Sequence, residues 1–217
     1  MSPAIMSPAI MSSTISTRAL ARTFTIRAAL ACAQFTCANI ACAADKVRIG
    51  VVGSGFMGAG IATVAVQAGT IVRLKDASLD RVASGWRAVR DVLRERVKRR
   101  QLTRLQMDDT LSLVGGTVDY SGFANVDLVI EAVFEDLAVK HAVLREVQAV
   151  APRAIFASNT STIPIRDIAT AAVHPDQVVG MHFFSPVHKM PLLEVIVTPA
   201  TSAQTTATVV AYGKQIG

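Results

Sequence analysis

Three glycines in one short window constrain this chain more than any other feature. Residues 47–52, Val-Arg-Ile-Gly-Val-Val, form an apolar, β-branched run suited to a strand buried on both faces. The run enters Gly53-Ser-Gly55-Phe-Met-Gly58 and then Ile61-Ala-Thr-Val-Ala65, which can continue as a helix. Gly53 is expected to make the tight turn and Gly55 to let backbone approach a pyrophosphate. Gly58 should let the helix pack closely on the strand. Free N–H groups and the positive end of the helix dipole then face the phosphates. A second apolar run, Thr70-Ile-Val-Arg-Leu74, ends at Lys75-Asp76. A carboxylate there would accept hydrogen bonds from the adenosine ribose hydroxyls, which favours NAD over NADP. The glycine spacing alone is a weak signal, but a strand before it, a helix after it and the acid beyond make a dinucleotide site.

The order downstream is strand and helix in alternation. Ser78 is expected to cap a long helix through Leu79, Val82, Trp86, Val89, Leu93 and Val97, apolar at helical spacing. Thr103 to Leu111 suggests a second, antiparallel helix, making a hairpin. Residues 112–114 and 117–120 flank Gly115-Gly116 and suggest a strand pair or a strand with a turn. Asp127 to Val133 is a buried strand, Asp136 to Val150 an amphipathic helix, and Ala154 to Ser158 another strand. Pro164 suits the first turn of a short helix. Val178 to Phe184 and Leu192 to Val197 are the last strands, and Ser202 to Gln215 the final helix. Such repeated units predict an α/β, Rossmann-like, doubly wound and mostly parallel sheet with a helical hairpin insertion over residues 45–217.

Residues 1–44 stand apart. They begin with a repeated Met-Ser-Pro-Ala-Ile, carry Arg18, Arg22 and Arg27 and no acid, and end in an Ala-rich stretch. Three readings fit: a mitochondrial-type transit peptide, a poor secretory signal with Ala41-Cys42-Ala43 as cleavage site, or a functionless extension. The first would place the protein in mitochondria; in a bacterium without processing it would be cytoplasmic. No run is long and clean enough for a membrane span. The formal charge is +6, and without the three extension arginines the rest holds 19 basic and 16 acidic residues, a net +3. That is too mild to imply nucleic-acid binding, and no aromatic-rich basic patch supports it. Cys32, Cys37 and Cys42 all lie in the extension, with neither paired CxxC spacing nor nearby histidine, so no metal site or disulfide framework is indicated.

Ligands on doubly wound sheets bind beyond the carboxyl ends of the strands, where Glu135, Ser161, His182 and Ser185 are expected to fall. An imidazole such as His182 can take a proton from an alcohol while hydride leaves the same carbon. A carboxylate would hold the ring in one orientation and stabilise its charged form. Glu194 lies in an apolar run, Leu192-Leu-Glu-Val-Ile196, where an unpaired buried charge would be costly. It is therefore expected to be buried against His182. His141, His174 and His188 read as surface histidines. The cluster Lys98-Arg99-Arg100 reads as a solvated helix end or as a contact for an anionic substrate.

Four motifs in order, Gly53-Ser-Gly-Phe-Met-Gly-Ala-Gly-Ile-Ala62, Glu131-Ala-Val-Phe-Glu135 with Lys140, Phe156-Ala-Ser-Asn-Thr-Ser161-Thr-Ile-Pro-Ile165 and Gly180-Met-His-Phe-Phe-Ser-Pro-Val-His-Lys-Met-Pro-Leu-Leu-Glu194, resemble the NAD-binding domain of L-3-hydroxyacyl-CoA dehydrogenases. The wording of the last is similar to the multifunctional fatty-acid oxidation complex α-subunits. The resemblance covers about residues 46–217 and implies NAD-dependent oxidation of (3S)-3-hydroxyacyl-CoA to 3-oxoacyl-CoA in β-oxidation. By resemblance, Gly53, Gly55, Met57 and Gly58 line the pyrophosphate and Asp76 holds the adenosine ribose. Val133, Phe134, Glu135 and Lys140 border the nicotinamide half. Ser161 bonds the reacting oxygen and neighbours the cofactor, His182 is the general base oriented by Glu194, and Ser185 stands where the family often has a substrate-binding Asn. Lys98, Arg99 and Arg100 fall in the hairpin that approaches coenzyme A. Family members continue into an all-helical domain that completes the cleft and commonly dimerises, and no such domain is in this sequence. Weak turnover alone, self-association, a partner chain supplying the helices, or a non-catalytic NAD-binding module are the implied alternatives.

Overall fold

A computed structural model describes residues 46–217. The readings made for the extension, cysteines included, lie outside the described residues. Seven strands form one sheet: β1 (Arg48–Val52), β2 (Ile71–Lys75), β3 (Val114–Thr117), β4 (Leu128–Glu131), β5 (Ile155–Ser158), β6 (Val178–Phe183) and β7 (Leu193–Ile196). Their order is β3-β2-β1-β4-β5-β6-β7. Every neighbouring pair is parallel except β6 with β7, which is antiparallel. Chain order runs outward from β1 to β3, then returns to β4 beside β1. The reversal between β1 and β4 is the switch point at which this fold class opens a crevice.

The helices are α1 (Phe56–Gln67), α2 (Leu79–Lys98), α3 (Arg104–Leu111), α4 (Leu137–Val150), α5 (Ile165–Ala169) and α6 (Ala203–Ile216). Their starts follow the expected chemistry. Ser78, Thr103, Asp136 and Ser202 each accept a hydrogen bond from a backbone N–H of the first turn, and Thr103 with Gln106 closes a capping box.

Burial explains why the central strands read as continuous apolar runs rather than alternating ones. Successive side chains point to opposite faces, and both faces are covered. Ile49, Val51, Leu128, Ile130, Val179 and Met181 join a core layer with Ile61, Leu93, Val209 and Tyr212. Val52, Val129, Phe156 and Val178 join the opposite layer with Leu144, Val147 and Ile168. Among the described residues no helix is long and apolar enough to cross a membrane.

One expectation needs correction. Gly115 and Gly116 are not a turn between two strands; they lie inside β3, which runs through them beside β2. A Cβ on Gly115 would sit 2.2 Å from Arg73 Nη1, and one on Gly116 would sit 2.4 Å from Val82 Cγ1. The pair makes room for side chains from neighbouring elements, a need that local sequence does not advertise.

Candidate functional site

The first wall of the crevice is the turn from β1 into α1. Gly53 has φ +98°, in the left-handed region, and its N–H donates to the Lys75 carbonyl at 2.8 Å. A Cβ on Gly58 would lie 1.8 Å from the Gly53 carbonyl oxygen, so α1 packs on the turn at a distance only glycine permits. Gly55 differs from both: a Cβ there would meet nothing within 4 Å. The open space lies at the start of α1, where unpaired N–H groups point outward. This cradle fits a pyrophosphate. Phe56 beside it is 72% exposed, whereas Met57 packs against the core. A cleft of about 280 Å³ flanks the turn, lined by Gly55, Phe56, Gly60, Ser84, Gly85 and His188. Exposed His188, read from sequence as a surface residue, thus borders this cleft. Burial and then Lys189 lower its pKa.

Asp76 lies just beyond β2. Its Oδ2 accepts from the Ser54 amide at 2.7 Å and the Ser54 hydroxyl at 2.8 Å, and its Oδ1 accepts from the Ala77 amide at 2.7 Å. Partial burial pushes its pKa up, but these donors and Arg81 outweigh it, so the carboxyl titrates below the usual aspartate range. Oδ1 keeps accepting capacity, which a ribose hydroxyl could use.

The β4 end carries a group that the sequence reading did not single out. Glu131 is fully buried, and Lys140 is 1% exposed. Lys140 Nζ donates to both Glu131 oxygens at 2.8 and 3.0 Å, and the pair receives further bonds from the Ser158 hydroxyl at 2.6 Å and the Val133 amide at 2.8 Å. Nζ also lies 3.2 Å from Glu135 Oε2. Glu135 accepts from the Thr160 and Thr162 hydroxyls. Partial burial would raise its pKa, yet those hydroxyls and Lys140 hold it at about 2. Lys140 and Glu135 therefore form a bonded support under the crevice, with the Lys140 ammonium turned inward. Val133 packs on the core, while Phe134 is 70% exposed. The signal for Glu131 was an acid ending a run with no room for water, followed nine positions later by a lysine on an otherwise apolar helix face.

His182 and Glu194 do meet. They are cross-strand partners in the antiparallel β6–β7 register, with Nδ1 2.9 Å from Glu194 Oε2. A carboxylate only accepts, so Nδ1 carries a hydrogen, and in the neutral imidazole Nε2 is left with a lone pair. The Phe184 ring packs at 4.6 Å between centroids. The reason given for the pairing from sequence is corrected, however. Glu194 is not buried: its side chain is 53% exposed, because β7 is the sheet edge and its residues alternate in burial. Register, not desolvation, brings the two together.

Asn159 ties the neighbouring strand ends: its Oδ1 accepts from the Phe183 amide at 2.8 Å. Ser161 and Ser185 are exposed in the loops that follow β5 and β6, at the same carboxyl end of the strands as His182. At the far end of α2, exposed Lys98 and Arg99 both pair with Glu95, at 3.4 and 3.3 Å. Arg100, with φ 58°, ends the helix.

A family model described as the 3-hydroxyacyl-CoA dehydrogenase NAD binding domain matches residues 48–217. Among solved structures, FadB2 of M. tuberculosis is 36% identical with a TM-score of 0.76, the match covering 79% of this chain and 61% of that one. A 3-hydroxybutyryl-CoA dehydrogenase of Escherichia coli is 35% identical with a TM-score of 0.76, covering 80% and 37%. The (S)-3-hydroxybutyryl-CoA dehydrogenase of Ralstonia eutropha is 35% identical with a TM-score of 0.77, covering 80% and 62%. The chain thus spans less than two thirds of the length of each.

Proposed function

The chain belongs to the 3-hydroxyacyl-CoA dehydrogenase family through its NAD-binding domain, and on that premise we propose that it oxidises (3S)-3-hydroxyacyl-CoA to 3-oxoacyl-CoA, a step of fatty-acid β-oxidation. The observation that carries this reading is the His182–Glu194 pair, with Nε2 free, at the same carboxyl end of the parallel strands as the open Gly55 cradle.

Bound NAD⁺ supplies the acceptor for the hydride that leaves C3 of the substrate. His182 Nε2 takes the hydroxyl proton as the C3–O bond becomes a carbonyl. Glu194 keeps the imidazole in the tautomer that makes Nε2 the base and stabilises the imidazolium that forms. Ser161 donates to the reacting oxygen, and Ser185 contacts the substrate beyond it. Gly53, Gly55, Gly58 and Met57 shape the pyrophosphate cradle and Asp76 accepts from the ribose. Val133 and Phe134 border the nicotinamide half, on ground that Glu135 and Lys140 hold in place. Arg100, the member of its cluster without a glutamate partner among the described residues, meets coenzyme A phosphates together with Lys98 and Arg99.

Residues 46–217 bind cofactor by themselves but hold the acyl group from one side. An apolar groove of about 490 Å³, lined by Val64, Val187, Met190, Leu193, Val210 and Ile216 among others, is where a helical wall would rest. Such a wall would raise a slow rate, since about 1 Å of misalignment can cost on the order of a hundredfold.

The test is oxidation of NADH on adding acetoacetyl-CoA to the purified protein. A rate above the protein-free control supports the enzyme reading. NADH bound without any turnover would contradict it and leave a cofactor-binding module.

A further inference from the structure

Arg81 joins two walls of the crevice. It lies in the first turn of α2, its Nη1 3.7 Å from Asp76 Oδ1 and its Cζ 5.7 Å from the centroid of the exposed Phe134 ring. Strands β2 and β4 flank β1. An adenosine whose ribose meets Asp76 must therefore set its base between the first turn of α2 and the loop 132–136. Arg81 and Phe134 are in cation–π contact over that position, and the exposed guanidinium turns aside from the ring to admit the base.

We propose that Arg81 is the specificity-determining residue of this adenosine subsite, stacking on the adenine and letting the site accept a 2′-phosphorylated dinucleotide beside NAD(H). The inference rests on the dinucleotide reading above and goes beyond it. An Asp at this position ordinarily turns a 2′-phosphate away by charge, and an Arg nearby ordinarily welcomes one. This site holds both. Asp76 Oδ2 is occupied by the Ser54 amide and hydroxyl, and its Oδ1 already faces the guanidinium. Arg81 has no other carboxylate partner among the described residues, and its side chain is 57% exposed, free to turn toward an incoming phosphate. A guanidinium offers the forked donors that match a phosphate and a flat face that stacks on a base. Ammonium could do the first only as a point charge.

Replacing Arg81 removes its side-chain contacts with Asp76 and Phe134 but keeps the hydrogen bonds of the turn, which use its backbone. The Ser54 hydroxyl donates to the Arg81 carbonyl at 2.8 Å, and the Arg81 amide donates to the Ser78 cap. The experiment titrates the full-length protein with NADH and with NADPH, reading dinucleotide fluorescence, for wild type, Arg81→Ala and Arg81→Lys. Arg81→Ala should raise the ratio of the NADPH to the NADH dissociation constant about tenfold, the scale of one charge-assisted contact. Arg81→Lys should recover part of that ratio. An unchanged ratio in Arg81→Ala, with NADH still bound, would overturn the inference. A wild-type protein that binds neither dinucleotide would sink the reading on which it rests.

Discussion

Two acid–base pairs stand near the carboxyl ends of β4 and β6, with β5 between them, and their differences separate structure from chemistry. Glu131 and Lys140 are closed off from water, and the Glu131 oxygens are bonded to Lys140, Ser158 and Val133. His182 and Glu194 share one bond, on the open sheet edge, with Nε2 left over. A pair with no spare valence can only hold the fold; a pair with one free lone pair at the crevice can move a proton.

The comparison breaks most visibly at His182. His182→Ala should lower acetoacetyl-CoA-dependent NADH oxidation by about 100- to 10,000-fold, the usual range for a general base, while NADH affinity stays within about twofold. Lys140→Met should act on stability instead, costing about 3–5 kcal/mol in urea unfolding because it strands a buried carboxylate. The double variant Glu131→Gln/Lys140→Met should recover at least half of that loss, since the Gln carbonyl can accept from the Val133 amide and its NH2 donate to the Ser158 hydroxyl without a charge to bury. No recovery would mean the pair does more than satisfy itself.

These contrasts also show what could be read from the chain. The Gly53–Gly58 turn was legible because strand, glycines and helix are contiguous, and the close packing of Gly58 on the Gly53 carbonyl is a contact five residues apart. Ser78 as a cap was legible for the same reason. The partnership of His182 and Glu194 was legible, but its physical basis was not. Burial of Glu194 depends on β7 being the sheet edge, and strand order is a non-local property. The same holds for Gly115 and Gly116, whose missing Cβ atoms serve Arg73 and Val82. Arg81 gave no signal at all, since its partners Asp76 and Phe134 are brought together only by the sheet order.

Smaller effects sharpen the comparison. Glu194→Gln should reduce turnover about tenfold, less than loss of His182, because an exposed amide still accepts from Nδ1 but stabilises the imidazolium poorly. The Glu135 contribution should depend on pH. Its folded pKa, about 2, lies below the ordinary 4.5. Its stabilisation is therefore fully present above about pH 4.5 and is lost as pH falls toward 2. Half-exposure and solvent screening limit this to about 1 kcal/mol. In urea unfolding, Glu135→Gln should be less stable than wild type at pH 7 and nearly equal to it near pH 2.

The most direct measurement is turnover per NADH-binding molecule in two variants, His182→Ala and Glu131→Gln/Lys140→Met, against wild type. The account predicts loss of at least a hundredfold in the first and a rate within about fivefold of wild type in the second. Retained turnover in His182→Ala, or its abolition in the double variant with NADH still bound, would contradict the division between the catalytic and the supporting pair.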